Sequence, residues 1–205
     1  MIDFKDIESF KKSIETTYPT INSVNDIEKQ FIDFEEKINE LNPSNINEYR
    51  LHYYRNIIEN IIDNIDIIDL NKLANHIIIT TNEYIDDQHK YSLVMDTNIL
   101  CGIRLYSEKE IIGSQIYFQN AIIYGENHQV YSKKDYFDSL NCAYSWAGVI
   151  YYNQNNKIEA YNCFQKAISH YNEVKDDPNY EVKEKDIIPI CIQYITGLEK
   201  EGINN

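Results

Sequence analysis

The chain contains an internal repeat. A stretch of 21 residues that begins at Gly102 recurs 46 positions later, beginning at Gly148, with seven identical positions. The identities include the aligned pair Phe118 and Phe164. Self-similarity at a period of 20–50 residues is typical of architectures in which small helical or β units stack and share one core. The repeat therefore predicts stacked supersecondary units in the second half of the chain.

Apolar residues recur at helical spacing through nearly every segment. One stripe has spacings of four, three, four and three residues, which places it on one helix face: Ile27, Phe31, Phe34, Ile38 and Leu41. Pro43 ends this helix, because proline lacks the amide hydrogen and disfavours helical geometry in the residue before it. The next helix carries the stripe Leu51, Tyr54, Ile57, Ile58, Ile61, Ile62 and Ile65.

Strand patterns are missing from the sequence. The run from Ile77 to Thr81 has strand propensity, but it lies within a longer helical stripe from Asp69 to Tyr84, and its length favours helix. A last helix is predicted from Ile187 to Leu198. The sequence therefore predicts an all-α fold of about nine helices.

Each repeat unit is predicted to be a helix, a short polar turn and a second helix. In the first unit, Ser107 and Glu110 have the spacing of a capping box, in which the serine accepts from an amide of the next helix. Small and aromatic residues then occupy matching places in both units. The second unit has Tyr144, Ala147, Gly148, Tyr151, Ala160, Phe164 and Ala167, and the first has Cys101, Gly102, Leu105, Ser114, Phe118 and Ala121.

These residues resemble the tetratricopeptide repeat (TPR) family. In that family glycine and alanine let two helices approach closely, and the phenylalanine fills the space between them. The period here is 46 rather than 34 residues, and we expect the extra residues, Gln129 to Leu140, to lengthen the first helix of the second unit. Neither unit has the terminal proline of the family in place.

The resemblance implies stacked antiparallel helical hairpins in a right-handed α-solenoid. We expect residues 1–90 to form helical hairpins without a repeat signature, and residues 91–175 to form two TPR-like units. Residues 176–205 are expected to form a capping helix and a tail, and the whole to be one continuous domain.

The charge balance constrains the partner. There are 33 Asp and Glu against 19 Lys and Arg, which gives a net charge of −14. Nucleic acids and anionic membranes attract positive surfaces, so the sequence predicts neither as a ligand and favours a basic protein partner. The start of the chain lacks the basic and apolar regions of a secretory signal, and the dispersed cysteines are expected to be buried thiols, so we expect a cytoplasmic protein.

Catalytic motifs are not found, and we expect neither enzymatic activity nor a cofactor. There is no metal-binding histidine motif, nucleophile elbow or phosphate-binding loop. The series Glu59, Asp63, Asp66 and Asp69 spaces carboxylates by three or four residues on or near one helix face. It is interpreted as a solvated face that could contact a basic partner; a metal-dependent helical hydrolase is the alternative.

In the resembled family, the inner face of the first helix of each unit binds a segment of a partner protein. This implies a binding surface made of Ile103, Tyr106 and Ser107 in the first unit and of Ser145, Val149, Tyr152 and Asn153 in the second, with Asp96 and Ile99 one to two turns earlier. Tyrosine suits such a surface because it offers a large rigid area with a polar tip. These tyrosines could instead pack against the N-terminal helices.

The predicted function is a non-catalytic protein-binding module. Its most specific form is an acidic inhibitor, or immunity protein, that neutralises a basic toxin or enzyme, because negative charge speeds association with a cationic target. A sensor or adaptor that binds a short peptide in the groove is the alternative.

Overall fold

A computed structural model describes residues 4–17, 24–62, 65–85, 87–127, 133–176 and 187–204. Within these ranges the chain forms nine α-helices and no strand. They are α1 (Ile7–Thr17), α2 (Val24–Leu41), α3 (Ile46–Ile61), α4 (Ile67–Tyr84), α5 (Asp87–Ser107), α6 (Ile111–Asn127), α7 (Lys133–Asn153), α8 (Lys157–Asn172) and α9 (Ile187–Lys200). The predicted all-α fold is confirmed, including the helical state of the isoleucine and threonine run in α4.

The chain divides into two compact units, Met1–Arg104 and Leu105–Asn205, and the division falls within α5. In the first unit α1 packs on α3, and α4 packs on α2 and α3. Aromatic rings fill its core: Phe34 and Tyr53 are stacked with centroids 3.8 Å apart, and both are buried. Phe31 of α2 lies against Tyr54 of α3 with ring centroids 5.0 Å apart, so residues of the two predicted apolar stripes are in contact.

A buried ion pair joins α2 to α3. The Arg50 guanidinium donates to both oxygens of Glu35, with Nη2 2.7 Å from Oε2. The Tyr54 hydroxyl donates to the same carboxylate at 2.7 Å. Because three donors surround it, this carboxylate is held in place far more firmly than a surface ion pair would be.

The helix ends explain where the acidic series lies. Asn42 follows α2 with a φ of 41°, a left-handed conformation that asparagine tolerates, just before Pro43. Further on, α3 ends at Ile61, and Asp66 is the N-cap of α4, where its side chain accepts from the Asp69 amide at 2.9 Å. Glu59 therefore lies in α3, Asp66 at the N-cap of α4 and Asp69 in its first turn, so these three carboxylates do not share one helix.

In the second unit α7 contacts α6, α8 and α9, and α8 also packs on α9. Gly148 of α7 lies against the ring of Phe164 of α8, and a Cβ at this position would be 2.6 Å from the nearest ring carbon. Ala160, Phe164 and Ala167 are all fully buried. The close approach of helices that the sequence predicted at this glycine is thus present between α7 and α8.

The repeat is visible in the turns. Lys109, after α5, and Asn155, after α7, both have left-handed backbones, with φ of 66° and 60°. After α5, the Lys109 amide donates to the Tyr106 carbonyl, and the Glu110 amide donates to the Leu105 carbonyl. The Asn155 and Asn156 amides donate in the same way to the Tyr152 and Tyr151 carbonyls, and all four bonds are 2.9–3.0 Å long. Gly202, after α9, makes the same two bonds with a φ of 83°. Helix ends of one kind, the Schellman motif, therefore recur at spacings of 46 and 47 residues.

The turn geometry corrects one expectation. Ser107 is the last residue of α5, and α6 begins only at Ile111, after Glu110. Since Ser107 is still helical and lies before the left-handed Lys109, it does not act as the N-cap of α6. The cap position belongs to Glu110, whose carbonyl accepts from the Ser114 amide at 2.9 Å.

None of the helices described above is both long and apolar enough to cross a membrane.

Candidate functional site

Aromatic side chains from α5, α7 and α9 gather on one side of the second unit. Tyr106, near the end of α5, packs on Trp146 of α7 with ring centroids 5.3 Å apart. Its hydroxyl accepts a hydrogen bond from the Asn153 amide group at 2.9 Å. This hydrogen bond joins the end of α5 to the last turn of α7. Tyr106 and Asn153 were both predicted to bind a partner.

Tyr152 and Tyr194 continue this surface toward α9. Their rings are tilted with centroids 4.6 Å apart, and Tyr194 stacks in parallel on the buried Phe164 at 4.9 Å. Burial raises the pKa of Tyr194, and the nearby hydroxyls of Tyr106 and Tyr152 raise it further. We call the set Tyr106, Trp146, Tyr152 and Tyr194 the aromatic face. Its rings are half-buried, so each presents part of its surface to solvent.

Trp146 gives this face an unusual polar group. Its ring stacks parallel to Phe118 at 6.0 Å. The indole Nε1 is covered, and no acceptor for its hydrogen lies among the residues that the structure describes. A buried donor without a partner costs about 1–3 kcal/mol. Because Nε1 is covered, an acceptor from outside would reach its hydrogen only if the ring or its neighbours moved.

The other predicted residues of this surface have different positions. Val149 is half-buried on α7, and Ser107 is exposed. Ser145 is fully buried: its hydroxyl donates to the Asn141 carbonyl at 2.8 Å and accepts from the Cys191 thiol at 3.3 Å. Ser145 therefore joins α7 to α9 and is not available to a partner, contrary to the expectation.

Residues on α5 that precede the division belong to the first unit. Ile103 is half-buried there and Ile99 is buried. Asp96 forms an ion pair with Arg55 of α3 at 2.9 Å. The predicted binding role of Asp96 thus competes with a structural contact within its own unit.

The acidic residues nominated for partner binding are dispersed. Glu59 is exposed near the end of α3, and Asp66 caps α4. Asp63 lies outside the described residues. Across the described ranges, no group of three His, Cys, Asp or Glu side chains is placed to hold a metal ion.

A second surface, which the sequence did not reveal, lies on the opposite side of α7. A groove of about 730 Å³ runs between α6 and α8, with α7 as its floor. Its lining comprises Gln119, Ile122, Ile123, Glu126, Tyr144, Ala147, Tyr151, Glu159, Asn162, Cys163, Gln165 and Lys166. Tyr144, Ala147 and Tyr151 point into it because spacings of three and four residues keep them on one face of α7.

A polar network occupies one end of this groove. The Tyr144 hydroxyl donates to Glu126 and accepts from Lys166 at 2.8 Å, and Lys166 is 3.1 Å from Glu126. The hydrogen bond from Tyr144 is the main reason that the pKa of Glu126 is lowered, and the same network raises the pKa of Lys166. His170 stacks on the Tyr144 ring at 5.6 Å, and burial lowers its pKa. At neutral pH, the Glu126 and Lys166 charges therefore balance each other.

The groove offers hydrogen bonds rather than an activated nucleophile. Burial, followed by the Glu126 contact, raises the pKa of Tyr144 to about 12. Burial also raises the pKa of the Cys163 thiol to about 12. Both groups keep their protons at neutral pH, whereas a nucleophilic thiol needs a lowered pKa. Neither Tyr144 nor Cys163 is therefore an activated nucleophile.

Comparison of the chain with protein-family models, with curated proteins and with solved structures finds no match.

Proposed function

We propose that the protein is a non-catalytic interaction module with TPR-like units, and that the aromatic face of its second unit binds a basic protein partner. The observation that carries the proposal is the clustering of Tyr106, Trp146, Tyr152 and Tyr194 from three helices. Aromatic residues that are rigid and partly exposed are the commonest anchors of protein interfaces. The recurring turns and the Gly148 contact support the TPR-like character of the units.

The charge of the chain indicates the sign of the partner. Neutral tyrosine and tryptophan rings attract lysine and arginine through their negative faces. A net charge of −14 adds long-range attraction for a cationic protein and repels an anionic one. Both effects favour a basic partner.

The most specific form of the proposal is an inhibitor or immunity protein that neutralises a basic toxin or enzyme. Such a protein needs fast association more than chemistry, and electrostatic steering supplies it. All four cysteines are unpaired, and three of them are buried, which suits a reducing compartment such as the cytoplasm.

The test is affinity capture from native lysate with the immobilised protein and two variants. Tyr152→Ser removes a ring from the aromatic face, and Tyr171→Ser removes a half-buried tyrosine of α8 outside it. We expect the wild type and Tyr171→Ser to retain the same basic protein in stoichiometric amount at low salt and to release it as salt screens the attraction. Tyr152→Ser should bind it about tenfold more weakly, as for the loss of an interface anchor.

Two results would contradict the proposal. Equal retention by Tyr152→Ser and the wild type would remove the aromatic face from the interface. An acidic partner, or an association rate that does not change with salt, would contradict electrostatic attraction of a basic partner. It would therefore also contradict the inhibitor function.

A peptide-binding sensor or adaptor is the second candidate. The half-buried rings of the aromatic face favour it, because the side chains of a short peptide can pack against them. Retention of short peptides in place of a folded basic protein, with loss on changing Val149 and Tyr152 to alanine, would support this function over the inhibitor.

A further inference from the structure

The groove between α6 and α8 has two ends of different charge. At one end Lys166 neutralises Glu126, and both are engaged with Tyr144. At the other end Glu159 is exposed and makes no ion pair or hydrogen bond with any residue that the structure describes. Glu159 and Lys166 are seven residues apart on α8, so the two ends are separated by about 10 Å along the helix. The groove therefore carries one uncompensated negative charge at a defined position.

The walls and floor suit an extended peptide. Gln119 on one wall donates to the Tyr151 hydroxyl at 2.9 Å, and Gln165 on the other donates to the Tyr161 hydroxyl at 3.1 Å. Their amide oxygens, and the amide group of Asn162, can bond to a peptide backbone. The Asn162 side chain has no hydrogen-bond partner among the described residues. Ile122 and the exposed Ile123 provide apolar surface along the groove, against which the methylene groups of a long side chain can pack.

We infer that this groove binds an extended basic segment of the partner protein, with a lysine or arginine head group paired to Glu159. The inference rests on the proposed function, because it assigns a second contact to the same basic partner. About three extended residues fit between Glu159 and Lys166 at 3.3 Å per residue. The basic side chain lies at the Glu159 end, because at the other end Lys166 already neutralises Glu126 and no net negative charge remains.

The volume and charge of the groove argue against a nonspecific acidic surface. Among the described residues of the second unit, other exposed carboxylates lie outside the groove or have a cation beside them; Glu201, for instance, pairs with Lys157. Glu110, at the start of α6, is also exposed and unpaired among the described residues but lies outside the groove. Glu110 therefore has the charge and the helix-end position of Glu159 without the groove, which makes it the matched control.

The experiment measures binding of a fluorescein-labelled peptide of alternating arginine and serine, about six residues long, by fluorescence anisotropy at low salt. Peptides of alternating glutamate and serine and of alternating glutamine and serine are the charge controls. An ion pair at a partly exposed site contributes up to about 1 kcal/mol, so we expect Glu159→Gln to raise Kd about fivefold. Glu159→Lys should raise it further, and Glu110→Gln and Glu110→Lys should change it less than twofold.

Three outcomes would overturn the inference. In the first, the arginine peptide binds no better than the glutamine peptide. In the second, the Glu110 variants weaken its binding as much as the Glu159 variants do, which would show that net charge alone attracts the peptide. In the third, Tyr152→Ser would abolish peptide binding while Glu159→Gln leaves it intact, which would place the peptide on the aromatic face. Circular dichroism and thermal unfolding of each variant, unchanged from the wild type, exclude loss of folding as the cause.

The failure of this inference is distinguishable from failure of the proposed function. If capture of a basic protein depends on Tyr152 but not on Glu159, the proposed function is supported and the role of the groove in binding is contradicted. Binding of the arginine peptide that depends on Glu159, with no basic protein captured by the wild type, would retain the groove and remove the proposed partner.

Discussion

Gly148 gives the sharpest test of how α7 and α8 pack. A Cβ built at this position would be 2.6 Å, 2.7 Å and 3.0 Å from three ring carbons of Phe164. Phe164 is fully buried and stacks on Tyr194, so its ring cannot move aside without disturbing a second contact. Gly148→Ala should therefore force the two helices apart or push the ring out of its preferred rotamer.

The expected size of the effect comes from two opposing terms. Overpacking a well-filled core costs about 1–3 kcal/mol. Alanine is a better helix former than glycine by about 1 kcal/mol, which offsets part of this loss. Because the contacts are as short as 2.6 Å, the steric cost should lie in the upper part of its range, about 2–3 kcal/mol. After the helix-propensity gain is subtracted, we expect Gly148→Ala to lower the free energy of unfolding by about 1–2 kcal/mol.

Gly197 supplies the matched control. It lies inside α9, and a Cβ there would have no neighbour within 4 Å. Gly197→Ala should therefore show the propensity term alone and raise stability by about 0.5–1 kcal/mol. The same substitution in two helices of one unit is predicted to act in opposite directions.

Urea unfolding followed by far-ultraviolet circular dichroism measures both variants. Phe164→Leu in the Gly148→Ala background should reduce the effect of the alanine, because a smaller side chain leaves room for the methyl group. If Gly148→Ala were as stable as the wild type or more so, or if Phe164→Leu did not alter its effect, the proposed steric contact would be refuted.

Three further predictions concern the buried pair, a histidine and the thiols. Arg50→Ala should cost about 1.5–3 kcal/mol in urea unfolding, because it removes charge-assisted hydrogen bonds from the largely buried Glu35 carboxylate. Lys72→Ala, which breaks an exposed pair, should change stability by less than about 0.5 kcal/mol. Burial lowers the pKa of His76 below its ordinary 6.5, so the unfolded chain binds more protons and stability should fall as the pH drops below 6.5; His76→Gln should weaken this dependence, and an unchanged pH profile would contradict the assignment. A thiol reagent should label Cys142 first in the native protein and the three buried cysteines only after unfolding, as mass spectrometry of the labelled peptides would show.

The helices and one interhelical contact could be predicted from the sequence because both leave local patterns. Periodic apolar residues fix the buried face of α2 and α3 regardless of what covers it. The small residue at Gly148 and the large one at Phe164 recur with the repeat, and that recurrence identifies them as complementary. The prediction at Gly148 is confirmed by the distances to the Phe164 ring.

The sequence could not show which helix lies against which face. Ser145 and Trp146 are adjacent on α7, so their side chains point about 100° apart around the helix axis. An error of one residue in which side of α7 faces the binding surface therefore exchanges their environments. Ser145 is buried against α9, whereas Trp146 joins the aromatic face. Trp146 is the single tryptophan of the chain, and tryptophan is common at protein interfaces, so its presence was the one sequence signal for its place on the aromatic face.

The groove was also inaccessible to sequence reasoning. Glu126, Tyr144 and Lys166 come from three helices and are 18 to 40 positions apart, with no repeated spacing among them. Only the packing of α6, α7 and α8 brings them together. In the acidic series, Glu59 and Asp69 belong to different helices, because α3 ends at Ile61 and α4 begins at Ile67. One continuous helix would have aligned them on or near one face.

Helix α7 backs both surfaces: Tyr144 and Tyr151 form the floor of the groove, and Trp146 and Tyr152 belong to the aromatic face. Two ligands bound on opposite sides of one helix share the entropic cost of restraining it. If occupation of the groove restrains α7, the affinity of the aromatic face must rise by some factor, and thermodynamic reciprocity then requires that a partner on that face tighten groove binding by the same factor. The two sides of α7 would in that case act as a single cooperative receptor.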